Sequence, residues 1–145
     1  MPVKAIDVAA YILEKQGKLP AIKLQKLVYY SQAWSLVWDD KSLFRDRIEA
    51  WANGPVIRNL WNAHRGEFEV SSIPEGDPEK LDEIQRETVD AVLDFYGDKT
   101  SFWLSSLTHM EAPWRDARIE AGLTSGQRGN ARITNGSMAE YYSSL

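Results

Sequence analysis

Apolar residues recur along the chain at three- and four-residue spacing far more often than they alternate, and that rhythm predicts helices. Ile6, Ala9, Ala10 and Leu13 keep it over Val3 to Gln16, with Pro2 suited to a first helical position and Gly17 to a stop. From Ile22 to Trp38 two stripes run side by side. Leu24, Leu27, Val28, Ser31, Ser35 and Trp38 form one, and Tyr30, Ala33, Trp34 and Val37 form the other. A helix apolar on nearly every side belongs in the middle of a bundle, so residues 22–38 are expected to be the central helix.

Beyond Asp39-Asp40-Lys41, the stretch Leu43 to Ala52 alternates loosely around Phe44, Ile48 and Trp51 and reads as extended. Gly54-Pro55 predicts a turn with proline at the first position of a third helix, which carries Val56, Ile57, Leu60 and Trp61 and fades near Arg65-Gly66. Phe68 to Asp77 reads as a loop with room for a short strand at Phe68 to Ile73. Asp77 and Pro78 then suit a helix cap and first position, followed by an apolar stripe of Leu81, Ile84, Thr88, Val92 and Phe95 that ends at Gly97. A fifth helix over Thr100 to Thr108 presents Phe102, Trp103, Leu104 and Leu107, and Pro113 opens a sixth that stops at Gly122. Thr124 to Asn130 is loop-like, while Ala131 to Thr134 suits a short strand paired with the Leu43 to Ala52 segment. Ser137 and Glu140 have capping-box spacing for a tail helix over Met138 to Ser144. The expected fold is mainly α: a compact bundle of about six helices around the central one, with a minor short β element.

The length, 145 residues, suits one domain over 1–145 with a core large enough to need no disulfide or structural metal. Having no cysteine, the chain holds no disulfide, zinc ribbon, iron–sulfur cluster or thiol nucleophile, and it suits a reducing cytoplasm. No apolar run is long enough to span a bilayer. The net charge of −4 opposes a duplex-binding surface, whose affinity rests on clustered Lys and Arg. Charge is also uneven: nine acids and two bases between Glu75 and Asp98 give −7, so the rest of the chain carries +3. Six tryptophans and six tyrosines serve either a large core or a binding surface.

Candidate chemistry is sparse. A nucleophile needs a base oriented by a third group, and His64 and His109 are the only histidines, with no G-x-S-x-G elbow beside them. A small hydrolase would need His109 with Glu111, or His64, in a concave site; both histidines read more readily as satisfied structural residues, and neither has an established metal-ligand spacing. Gly122, Gly126 and Gly129 form no phosphate fingerprint and read as loop glycines, while Arg115, Arg118, Arg128 and Arg132 are either scattered solvated arginines or a clasp for an anion. Glu79, Glu83, Glu87, Asp90 and Asp94 fall on one face of the predicted fourth helix, opposite its apolar stripe. Such a face is usually just solvated, yet the like-charge pair Glu83 and Glu87 disfavours the isolated helix by a few tenths of a kcal/mol, a repulsion that a basic partner would offset.

Three stretches resemble one known family: Lys23-Leu-Gln-Lys-Leu-Val-Tyr-Tyr-Ser-Gln-Ala-Trp34, Glu49-Ala-Trp-Ala-Asn-Gly-Pro-Val56 and Leu104-Ser-Ser-Leu-Thr-His-Met-Glu-Ala-Pro-Trp114. Their order and spacing, with Met138-Ala-Glu-Tyr-Tyr142 at the end, are similar to the Panacea or SocA-like antitoxin domain, whose members include phage-associated proteins. The resemblance implies a helical domain that neutralises a co-encoded toxin by direct contact, the toxins being diverse and often aimed at translation. One member resembles a proteolytic adaptor that hands its toxin to a protease. Some relatives add a DNA-binding domain; this chain has no room for one, so direct DNA binding is not expected.

Within those motifs Leu24, Leu27 and Val28 are core positions, and Trp34 is either core or surface with its indole N–H satisfied. Gly54 and Pro55 shape the turn, whereas Trp51 and Asn53 beside it are candidates for outward presentation. His109 and Trp114 flank a helix break at Ala112-Pro113, where they either project into a groove or bond internally. The partner-binding candidates are therefore Trp51, Asn53, His109, Trp114, Glu83, Glu87 and Asp90, in a protein expected to act without cofactor, metal or catalytic residue.

Overall fold

Every residue from Leu24 to Ala33 is buried, so the second helix has no solvent-facing side over ten consecutive positions. In the computed structural model, which describes residues 2–145, this helix, α2, runs Ala21–Trp38. It packs against α1 (Ala5–Gln16), α3 (Arg58–His64), α4 (Glu83–Tyr96), α5 (Ser101–Met110) and α7 (Asn135–Ser143), while α6 (Ala112–Glu120) joins α5 to α7. Seven helices are thus present among the described residues, against about six expected. Five short strands complete the fold: β1 (Leu19–Pro20), β2 (Ile48–Trp51), β3 (Gly54–Ile57), β4 (Glu69–Val70) and β5 (Ala131–Ile133). β1 pairs antiparallel with β4, and β2 lies between β3 and β5, antiparallel to both. One contiguous hydrophobic core links all of these elements.

The pairing of residues 131–133 with the Ile48 segment and the brief strand after Phe68 agree with the sequence reading. Several expectations are corrected. Pro2 lies outside α1, whose start is instead held by the buried Asp7, which accepts the Lys4 N–H at 2.9 Å. Gly54-Pro55 does not open a helix: both residues belong to β3, in a hairpin whose tip is Ala52-Asn53, and α3 begins only at Arg58. Val56, Ile57, Leu60 and Trp61 have helical spacing, but cross-strand pairing of Glu49 with Val56 and Ile48 with Ile57 wins locally. Gly54 holds φ +129°, a conformation that L side chains rarely adopt.

Asp77 and Pro78 start only a single 3-10 turn, Pro78–Lys80, and α4 is capped by Asp82, whose carboxylate accepts the Gln85 N–H at 2.8 Å while Gln85 Oε1 accepts the Asp82 N–H at 2.9 Å. The buried face also differs from the expected stripe. Thr88, Val89, Val92, Leu93 and Tyr96 point inward, whereas Ile84 and Phe95, both assigned to the stripe by spacing, are each 61% exposed. Tyr96 takes the inner position because its ring stacks on Tyr30 at 4.2 Å and its hydroxyl accepts the Trp34 indole N–H at 3.0 Å, a bond phenylalanine cannot make. At the C-terminal helix, Thr134 and not Ser137 is the cap, accepting the Ser137 N–H at 3.1 Å.

Two glutamines of α2 pin irregular backbone to the core. Gln32 Oε1 accepts the N–H groups of Leu43 (2.7 Å) and Phe44 (3.2 Å), and its amide donates to the Phe44 carbonyl at 2.9 Å. Seven residues earlier, Gln25 accepts the Ile57 N–H at 2.9 Å, where β3 hands over to α3. Such buried backbone groups are costly without partners. Gln32→Ala is expected to lower the unfolding free energy by about 2–4 kcal/mol, seen in urea as a lower midpoint at unchanged slope.

Candidate functional site

The hairpin and the α5–α6 junction meet around two tryptophans. The Trp114 indole donates to the Trp51 carbonyl at 2.8 Å, and the His109 ring lies flat on Trp114 at 4.2 Å with an 8° interplanar angle. His109 Nε2 is buried with no hydrogen-bond partner among the described residues. Trp51 donates its own indole N–H to Glu49 at 2.7 Å and meets Trp61 edge-on at 5.5 Å. The guanidinium of Arg58 lies over Trp51 and that of Arg65 over Trp61. The structure therefore brings Trp51, His109 and Trp114 together, all three half-buried, and leaves Asn53 exposed at the hairpin tip.

Arg118, one of the four arginines weighed as an anion clasp, is not available for that role. It is buried, with donors to the carbonyls of Ala50 (2.9 Å), Thr124 (3.1 Å) and Gln127, so it fastens the loop before β5 to the sheet. Arg115, Arg128 and Arg132 are exposed.

Beneath the hairpin lies a group that the sequence reading passed over. Lys26 is 3% exposed, and its ammonium has one carbonyl acceptor, Pro55, at 3.4 Å. Among the described residues no carboxylate pairs with it, and burial pushes its pKa down to about 8. A Cβ on Gly54 would stand 2.8 Å from Lys26 Cε, so the hairpin closes directly on the lysine stem. The signal was present: Lys26 precedes Tyr30 by four residues and so continues that apolar stripe toward the N-terminus of α2.

Glu111 and His64 are both committed internally. Glu111 Oε1 accepts hydroxyl bonds from Tyr30 and Tyr142, each 2.7 Å, and Tyr29 stands 3.0 Å from the Tyr142 oxygen. Burial raises the Glu111 pKa while the two hydroxyl donors pull it back, and burial lifts all three tyrosines well above their ordinary range. His64 Nε2 lies 3.0 Å from the Gln25 amide nitrogen; since Gln25 Oε1 accepts from Ile57, that nitrogen is the donor and the imidazole is the acceptor. Burial lowers the His64 pKa, which favours that neutral form. Among the described residues, a cleft of about 440 Å³ between α6, β5 and α7 and another of about 440 Å³ beside the N-terminus are both open, and no histidine lines either of them.

On α4 the acids divide. Glu83, Glu87 and Asp94 are exposed, and Glu79 sits apart on the 3-10 turn. Asp90 is half-buried and accepts the Tyr11 hydroxyl at 2.8 Å; burial and this carboxylate together push Tyr11 up to about 12. Asp90 thus links α1 to α4 rather than lying free on the outer face.

Among the described residues no helix is long and apolar enough to cross a membrane. The fold defines a mainly helical domain with two small sheets. The chain belongs to the antitoxin SocA-like, Panacea domain family, whose profile matches residues 24–115, more than half of its length. No curated protein and no solved structure matches the chain. The matched span holds Lys26, Trp51, Asn53, Glu83, Glu87, Asp90, His109 and Trp114, whereas β5 and α7 lie beyond it.

The buried lysine yields a pH prediction. Its folded pKa, about 8, lies below the ordinary 10.5, so between those values the unfolded chain holds a proton that the folded one has released. Stability attributable to Lys26 therefore rises with pH across that window, and the penalty is complete below it. Lys26→Met is expected to raise the unfolding free energy at neutral pH by up to about 3 kcal/mol and to remove this alkaline rise, both read from denaturant midpoints measured against pH.

Proposed function

We propose that this chain is the antitoxin of a toxin–antitoxin pair, working in the cytoplasm and neutralising a co-encoded toxin by direct protein contact. It occludes a working surface of the toxin and performs no reaction of its own, with neither cofactor nor metal. Family membership over residues 24–115 is the observation that carries this reading. The placement of the reactive side chains supports it: Glu111 is bound by two tyrosines, His64 by Gln25, and His109 is stacked on Trp114. A toxin that handles RNA, and is therefore basic, fits the acidic segment between Glu75 and Asp98.

Co-expression with the product of the adjoining gene tests this. Growth arrest by that product alone, relieved when this chain is present, together with a stoichiometric complex on gel filtration, is the expected result. Arrest that persists with no complex recovered overturns it. Pulse-chase of the partner separates occlusion from delivery to a protease: an unchanged lifetime is expected, and a shortened one assigns the adaptor role instead.

A further inference from the structure

The outer face of α4 carries apolar residues that the fold does not use. Ile84, Ala91 and Phe95 are exposed on it, while Thr88, Val89, Val92, Leu93 and Tyr96 supply the buried side. Phe95 and Ile84 each keep 61% of their surface in solvent. Behind Phe95 the buried Tyr96 meets its ring edge-on at 4.7 Å, which fixes Phe95 on the outer side of the helix. Single exposed apolar residues are ordinary on protein surfaces, but Ile84, Ala91 and Phe95 follow one another at spacings of seven and four and so line up as one apolar stripe on an exposed helix face, which marks an interaction site.

Charge selects the occupant. Glu83, Glu87 and Asp94 are exposed along the same helix, Asp98 just beyond it pairs with Lys99 at 3.7 Å, and the one cation on α4, Arg86, turns its Nε to the Leu81 carbonyl at 2.9 Å. A second copy of this face would set two acidic rims against each other, and a phosphate backbone would be repelled. Asp90 adds nothing to the rim because Tyr11 holds it.

We infer that this α4 face docks a basic amphipathic helix of the partner protein. Apolar residues of that helix at three- and four-residue spacing rest on Ile84, Ala91 and Phe95, and its flanking Lys and Arg meet Glu83, Glu87 and Asp94. This deepens the antitoxin reading and rests on it, since it names the surface and the chemistry of what the surface receives.

Two variants test the docking with the product of the adjoining gene as the probe, in stopped-flow association and dissociation over a salt series. One is Glu83→Lys with Glu87→Lys and Asp94→Lys; the other is Ile84→Ser with Phe95→Ser. All five positions are exposed, and unchanged far-UV circular dichroism verifies that each variant folds. The charge reversal is expected to slow association by about 10–100-fold at low salt, with the wild-type rate itself falling as salt rises. The serine pair is expected to speed dissociation by tenfold or more while leaving association within about threefold. A wild-type complex whose rates neither variant changes overturns the docking surface and leaves the antitoxin reading standing. Loss of binding in the serine pair without any effect of charge reversal overturns the basic occupant. Failure of the wild-type chain to bind at all overturns the antitoxin reading and the docking together.

Discussion

A helix buried on every side is the constraint from which the rest of this structure follows. Between Leu24 and Ala33 every residue of α2 is buried, so the polar groups there find their partners inside the protein. Gln25 and Gln32 use theirs to hold the ends of otherwise irregular segments, Tyr29 and Tyr30 reach into the Tyr142 and Glu111 network, and Lys26 is left with one carbonyl. The helix acts less as a greasy post than as a set of anchors. Surrounding backbone, including the hairpin and the Leu43–Phe44 crossing, is positioned by side chains projecting from it.

Much of the helical framework was legible because helix burial is written in spacing that a single sequence displays. The extent of α2, the end of α1 at Gln16 and the short helices around Phe102 and Pro113 could be read locally, and the strand at Ala131 that pairs with the Ile48 segment could be read as well. The failures share a cause. β3 looked helical because Val56, Ile57, Leu60 and Trp61 fit that period, and only the distant pairing with β2 decides otherwise. On α4, two overlapping apolar stripes were available, and the choice was made by contacts with Tyr30 and Trp34 on another helix.

The candidate site shows the same division. Trp51, His109 and Trp114 were picked as separate features of a turn and a helix break, and their stacking into one group depends on how α5 and α6 return to the hairpin. Lys26 escaped attention because lysine beside leucines is ordinarily a helix surface position. Its burial without a carboxylate runs against stability, and that is the kind of local conflict that spacing alone does not reveal.

Of the two tyrosines of α7, Tyr142 has a bearing on where the folding unit ends. Tyr142 lies outside the segment that the family profile matches, yet it closes the hydroxyl ring on Glu111 inside that segment. A graft of residues 24–115 alone would carry away an interior carboxylate with half of its donors missing. The span that the family profile matches is therefore shorter than the unit whose interior it shares, and α7 supplies part of that interior.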